Sequence, residues 1–159
     1  MNTIILYATK HGTTKHSAQL LRDKIGDNVY LVNILIDPIP SLDDFENVII
    51  GGSIYFGKIQ QEVTDLANNY LPQLLNKKVG LFICAGHKDE NILQQELVDS
   101  FPKELYEHAV SKEIFGYQYD FKQLNFLEKL IIRTVAGIKS STGKIYDANI
   151  ERFADAIKK

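Results

Sequence analysis

At 159 residues, 45% hydrophobic and 24% charged, the chain has the size and composition of one globular domain with a buried core, expected over residues 1–159. A formal net charge of -2 excludes the basic footprint of a nucleic-acid binder, and a single cysteine, Cys84, excludes an internal disulfide. The start, Met1-Asn2-Thr3, lacks the basic n-region of a signal peptide, and no apolar run approaches bilayer length, so the cytoplasm is the expected location.

Strand and helix patterns alternate along the chain. Residues 3–8 (TIILYA) form a continuous apolar run, as in a strand covered on both faces. Thr14, Ala18, Leu21 and Ile25 share one helical face. Residues 29–34 (VYLVNI) predict a second strand, ended by Asp37-Pro38 and Pro40, and residues 47–52 (NVIIGG) a third. Ile59, Val63, Leu66, Tyr70 and Leu74 make a helical stripe with Pro72 near its end. Residues 78–84 (KVGLFIC) predict a fourth strand, residues 90–100 a helix with Leu93 and Leu97 inward, and residues 109–116 (AVSKEIFG) a fifth strand. A last helix begins at Asp147 as N-cap and buries Ile150, Phe153, Ala154 and Ile157.

Five such alternations imply an α/β fold, a doubly wound parallel sheet with helices on both faces. Residues 117–143 are too long for a simple connection, and their centre, LNFLEKLIIRTVAGI (124–138), predicts a helical insertion after strand five. Ligands of open sheets sit beyond the carboxyl ends of the strands, which selects three loops.

After strand one comes ATKHGTTK (8–15). A helix N-terminus favours an anion, Thr9, Thr13 and Thr14 add hydroxyls, and Gly12 leaves room for the backbone to curl around it. Neither the Walker spacing nor G-x-G-x-x-G is present, so a phosphate site and a plain threonine-capped turn both remain open on this loop alone. After strand three comes Gly51-Gly52-Ser53-Ile54-Tyr55-Phe56-Gly57-Lys58, suited to a flat ring against Tyr55 or Phe56, or to aromatic packing in a glycine-rich turn. After strand four comes Cys84-Ala85-Gly86-His87, where small residues admit a planar group; Cys84 is expected buried and His87 solvated. All three loops fall on one sheet edge, the outline of a mononucleotide site with a flat ring. No catalytic acid or base and no metal site stands out.

Thr9, Gly12 and Thr14 match the Ser/Thr-x-Thr-Gly-x-Thr phosphate loop of the flavodoxins, which this chain resembles over essentially its whole length; His11 stands where a second hydroxyl is usual. The resemblance implies a five-stranded sheet of order 2-1-3-4-5 and FMN as cofactor. Thr9, Lys10, His11, Gly12, Thr13 and Thr14 would hold its phosphate. Ser53, Ile54, Tyr55, Phe56, Gly57 and Lys58 would lie on one face of its ring, and Cys84, Ala85, Gly86 and His87 on the other. Within that group, Gly51–Gly57 and the long insertion look similar to the bacterial flavodoxin-type, quinone-linked protoporphyrinogen oxidases, although Gly116–Lys122 (GYQYDFK) lacks the arginines those enzymes carry there. The implied function is an FMN-dependent oxidoreductase passing electrons to a quinone or similar acceptor; a non-catalytic electron carrier serving a redox partner protein is the alternative. A receiver-type signalling domain is excluded, because Thr9-Lys10 and Gly52-Ser53 stand where its acidic residues would be.

A type II turn over Tyr55–Lys58, with Gly57 third, is expected to present the Phe56–Gly57 carbonyl to the reduced ring. In the insertion, Leu124, Leu127, Ile131, Val135 and Ile138 form an apolar stripe, with Lys122, Lys129, Arg133 and Lys139 on other faces. Packing on the domain is the favoured reading. Contact with the inner face of a membrane, a quinone or a second copy of the chain is the other. Tyr117, Tyr119 and Phe121 would border the ring or anchor the insertion.

Overall fold

The computed structural model describes residues 1–119, 125–131, 133–134 and 142–159. Five parallel strands form the main sheet in the order β2-β1-β3-β5-β6, with β1 at Thr3–Tyr7, β2 at Val29–Asn33, β3 at Asn47–Tyr55, β5 at Lys78–Cys84 and β6 at Ser111–Ile114. In sequence order of those five strands this is the predicted arrangement. A two-residue strand, β4 (Lys58–Ile59), folds back antiparallel on the end of β3.

The central strands β1, β3 and β5 are buried on both faces because helices cover both sides of the sheet. Ile4, Leu6, Val48, Ile50, Leu81 and Ile83 point into one core layer with Val63, Leu66, Leu93 and Leu97. Their alternating neighbours Ile5, Tyr7, Ile49 and Phe82 meet Ala18 and Leu21 of α1 (Thr13–Ile25) and the buried face of α7 (Asp147–Lys158) in the other. That alternation follows from the two-residue side-chain period of a strand. Phe82 stacks on Phe115 with ring centroids 4.4 Å apart, and Phe153 meets both rings edge-on. The predicted inward residues Leu93 and Leu97 of α4 (Glu90–Asp99), and Ile150, Phe153, Ala154 and Ile157 of α7, are all buried.

Several boundaries differ from the sequence reading. The stripe from Ile59 to Leu74 is not one helix: Ile59 belongs to β4, α2 covers Gln61–Asn69, and α3 covers Leu71–Leu74. Pro72 has no N–H to continue an α2 ladder, so the chain restarts at Leu71. The fifth strand is shorter than 109–116, since Ala109 ends an unforeseen short helix, α5 (Lys103–His108). Tyr146, not Asp147, occupies the N-cap of α7; Asp147 lies in the first turn and pairs with Lys24 at 3.3 Å.

The insertion begins and ends as a ribbon, β7 (Gly116–Tyr119) pairing antiparallel with β8 (Thr142–Ile145), which the sequence reading did not include. Between them α6 covers Phe126–Ile131, inside the predicted 124–138, and none of its residues is buried. Leu127 is 62% exposed, against the favoured packing reading for this part of the stripe. The expected positions Phe121, Lys122, Leu124, Val135, Ile138 and Lys139 lie outside the described residues.

Candidate functional site

The carboxyl ends of β1, β3 and β5 are joined edge to edge. Ala8 donates its N–H to Gly51 O of β3 at 3.1 Å, Ser53 of β3 pairs with Cys84 of β5, and Ala85 donates to Gly116 O, the start of β7, at 2.8 Å. Gln60, which the sequence reading passed over, ties two of the loops together. Its Oε1 accepts from Ser53 N at 2.8 Å and its Nε2 donates to Ala8 O at 3.4 Å. An amide side chain both donates and accepts, so one residue satisfies a strand end on each side.

The loop after β1 turns through Gly12, whose φ of 89° is the left-handed conformation a Cβ disfavours, and α1 starts at the next residue. Gly12 N donates to Thr9 Oγ1 at 2.9 Å, and His16 N to Gly12 O at 2.9 Å closes the first helical turn. The start of this 13-residue helix offers its N–H groups and positive dipole end, the property an anion exploits.

The hydroxyls expected to face an anion are engaged with the protein. Thr13 Oγ1 donates to Gln118 O at 2.9 Å, which joins the loop to β7. Thr14, wholly buried, shares a 2.5 Å hydrogen bond with Ser53 Oγ, which joins α1 to β3. Cys84 Sγ donates to Ser17 Oγ at 3.6 Å beneath them. Burial pushes the Cys84 thiol up to about 11, against the opposing pull of Ser17 and Thr14, so it stays neutral at physiological pH. It is the buried small hydrophobe expected of it.

One pocket opens at this edge, lined by His11, Thr13, Ser53, Ile54, Tyr55, Cys84, Ala85 and Gly86, together with Tyr117 and Gln118 of β7. Of the remaining expected residues, Thr9, Lys10, Gly12 and Thr14 shape the loop behind it. Phe56, Gly57, Lys58 and His87 are exposed and outside its lining. Tyr117 takes up the space that small residues were expected to leave for a ligand: a Cβ on Gly86 would lie 2.4 Å from Tyr117 Cγ. Gln118 was missed, since nothing in an isolated Gln signals that β7 carries it to the first loop.

The Tyr55–Lys58 turn is not type II. Phe56 and Gly57 have φ of 50° and 78°, both positive, as in a type I′ turn, and Tyr55 pairs with Lys58 across it. A type I′ turn matches the twist of the two strands it joins, so Ser53–Tyr55 is strand rather than loop.

His11, the irregular member of the loop, meets an unexpected partner. Its Nε2 contacts Glu128 Oε2, and Lys10 Nζ lies 3.7 Å from Glu128 Oε1. Both also flank Tyr55: the His11 ring is 6.0 Å from the Tyr55 ring, and the Lys10 ammonium 5.3 Å from its centroid. Glu128 is held by a reciprocal cap at the start of α6. Its N–H donates to Asn125 Oδ1 at 2.8 Å, and its carboxylate accepts from Asn125 Nδ2 at 2.6 Å.

Among the described residues no cluster of acids, histidines and cysteine is disposed to hold a metal, and no helix is long and apolar enough to cross a membrane. No curated protein matches the sequence. In structure the chain is similar to a WrbA-like flavodoxin from Agrobacterium tumefaciens, at 15% identity and TM-score 0.56 over 99% of this chain and 97% of that one. It is similar also to Fusobacterium nucleatum flavodoxin bound to flavin mononucleotide, at 17% identity and TM-score 0.51, covering 99% and 98%. A third likeness is to the rubredoxin:oxygen oxidoreductase of Desulfovibrio gigas, at 16% identity and TM-score 0.51; there the chain covers only 35% of the larger protein. At such identities these likenesses establish the fold. A family model described as "Flavodoxin domain" matches residues 4–144, and with the five-stranded sheet and its anion-favouring first loop, the chain belongs to the flavodoxin-domain family.

Proposed function

We propose that the chain binds FMN in this pocket and works as a redox protein. The observation that carries the reading is convergence: the ends of β1, β3 and β5 meet at one pocket whose first loop is a glycine turn opening a long helix. The donor set fits the cofactor. Gly12 and the start of α1 suit a phosphate, while Ile54, Tyr55, Ala85 and Tyr117 present apolar or aromatic surface to a ring.

Bound FMN supplies one- and two-electron chemistry; the chain orients and tunes it. Cys84, held neutral, would bring no negative charge to a ring bound in the pocket it lines. The Phe56–Gly57 turn lies outside the pocket lining, and Gln60 keeps the strand end that carries it in place.

The finer reading is an oxidoreductase of the flavodoxin-type protoporphyrinogen oxidase kind, with a quinone or small molecule as acceptor. It is supported by an insertion whose Tyr117 and Gln118 line the pocket and whose Glu128 meets His11. Exposed Phe126, Leu127 and Leu130 on α6 would face a membrane or a second copy. A non-catalytic carrier is favoured instead by Phe56, 67% exposed at the hairpin tip, an apolar contact for a redox partner protein. The test is to load the purified protein with FMN and assay porphyrinogen oxidation with a quinone acceptor. Turnover supports the oxidase, a yellow protein without turnover makes it a carrier, and failure to take up FMN overturns the reading.

A further inference from the structure

The loop expected to receive an anion already has one beside it, and the insertion provides it. Three contacts join the two: Thr13 donates to Gln118 O, while His11 and Lys10 both meet the Glu128 carboxylate. Glu128 is 16% exposed and His11 13%, so both side chains are largely shielded from water where they meet. Asn125 fixes the carboxylate by capping the helix turn that carries it. The apolar residues Phe126, Leu127 and Leu130 of α6 stay exposed, so burial of α6's own side chains does not hold it here.

We infer that Glu128 selects among ligands: its carboxylate occupies the Lys10–His11 side of the anion loop, so docking of α6 and binding of a phosphate-bearing ligand compete. A carboxylate and a phosphate cannot share one partially desolvated cradle without repulsion. If phosphate binding displaces Glu128, docking of α6 must weaken phosphate binding by the same factor, because coupling between two binding events is reciprocal. The competition acts on the phosphate rather than the ring, since Glu128 is not among the residues that line the pocket, where Tyr117 and Ser53–Tyr55 stand. This inference rests on the FMN reading, and it adds that the insertion opposes loading of the cofactor.

The experiment compares wild type with Glu128→Gln, which keeps the shape of the side chain and removes its charge. Dissociation constants for FMN and for riboflavin, which lacks the phosphate, are read by quenching of flavin fluorescence. Glu128→Gln is expected to bind FMN roughly five- to tenfold more tightly with riboflavin unchanged, a coupling of ordinary size. Hydrogen exchange adds a readout on the wild-type protein alone: FMN should raise exchange over residues 126–131, and riboflavin should not. Equal FMN affinity in the two proteins, a change shared by riboflavin, or FMN-independent exchange in wild type overturns the inference and leaves the FMN reading standing. If neither protein binds FMN, the FMN reading fails and the inference with it.

Discussion

On one side of the pocket stand Ser53 and Cys84, at the ends of strands whose central side chains are almost wholly buried. On the other stand Tyr117 and Gln118 of a two-stranded ribbon, with Glu128 of a six-residue helix that has no buried residue behind them against His11. The first wall is an extension of the core: Thr14 is hydrogen-bonded to Ser53, and Cys84 to Ser17. The second is tied on by a threonine hydrogen bond, an ion pair and the packing of Tyr117 on Gly86. Elements with few buried contacts open locally at lower free energy than the core does. The inference that α6 docking and a phosphate-bearing ligand compete therefore asks only the less buried wall to open while the sheet-borne wall stays folded.

The largest expected effect tests the core wall. Phe82→Ala should cost about 3–5 kcal/mol in urea denaturation, because Phe82 is wholly buried against Phe115 and Phe153. A loss below ~1 kcal/mol would mean that this aromatic cluster does not hold the core layer from which the first wall extends. Gly57→Val comes next. No atom lies within 4 Å of its Cβ position, so the cost is backbone strain at φ 78°, about 1–2 kcal/mol. With FMN bound, both one-electron potentials should be followed in this variant, and a turn without a redox role leaves both unchanged. The smallest effect belongs to the attached wall. Leu127→Ser should change stability by no more than ~0.5 kcal/mol, since the side chain is 62% exposed. A loss above about 1 kcal/mol would restore the reading in which α6 packs on the domain and would erase the contrast between the walls.

The main sheet was legible because its strands are apolar on both faces and its helices keep their inward stripes, so local pattern and tertiary burial agree. Boundaries slipped where a second signal competed. Ile59 fits a helical stripe as well as a strand, and only its pairing with Ile54 decides for β4. Positive φ at Phe56 was hidden because an aromatic residue does not announce the left-handed region, whereas Gly57 does. The three loops of the candidate site were found from their positions after strands, a rule of topology that needs no side-chain detail.

By itself the sequence determined the α/β alternation, the sheet edge at which the pocket opens and the left-handed turn at Gly12, because each depends on periodicity, on topology or on one residue's conformational range. Tertiary structure alone decided that Tyr117 packs on Gly86, that Thr13 gives its hydroxyl hydrogen to Gln118, and that His11 meets Glu128. Those partners are separated by 31, 105 and 117 positions, and no local pattern encodes which distant backbone or carboxylate the folded sheet brings alongside.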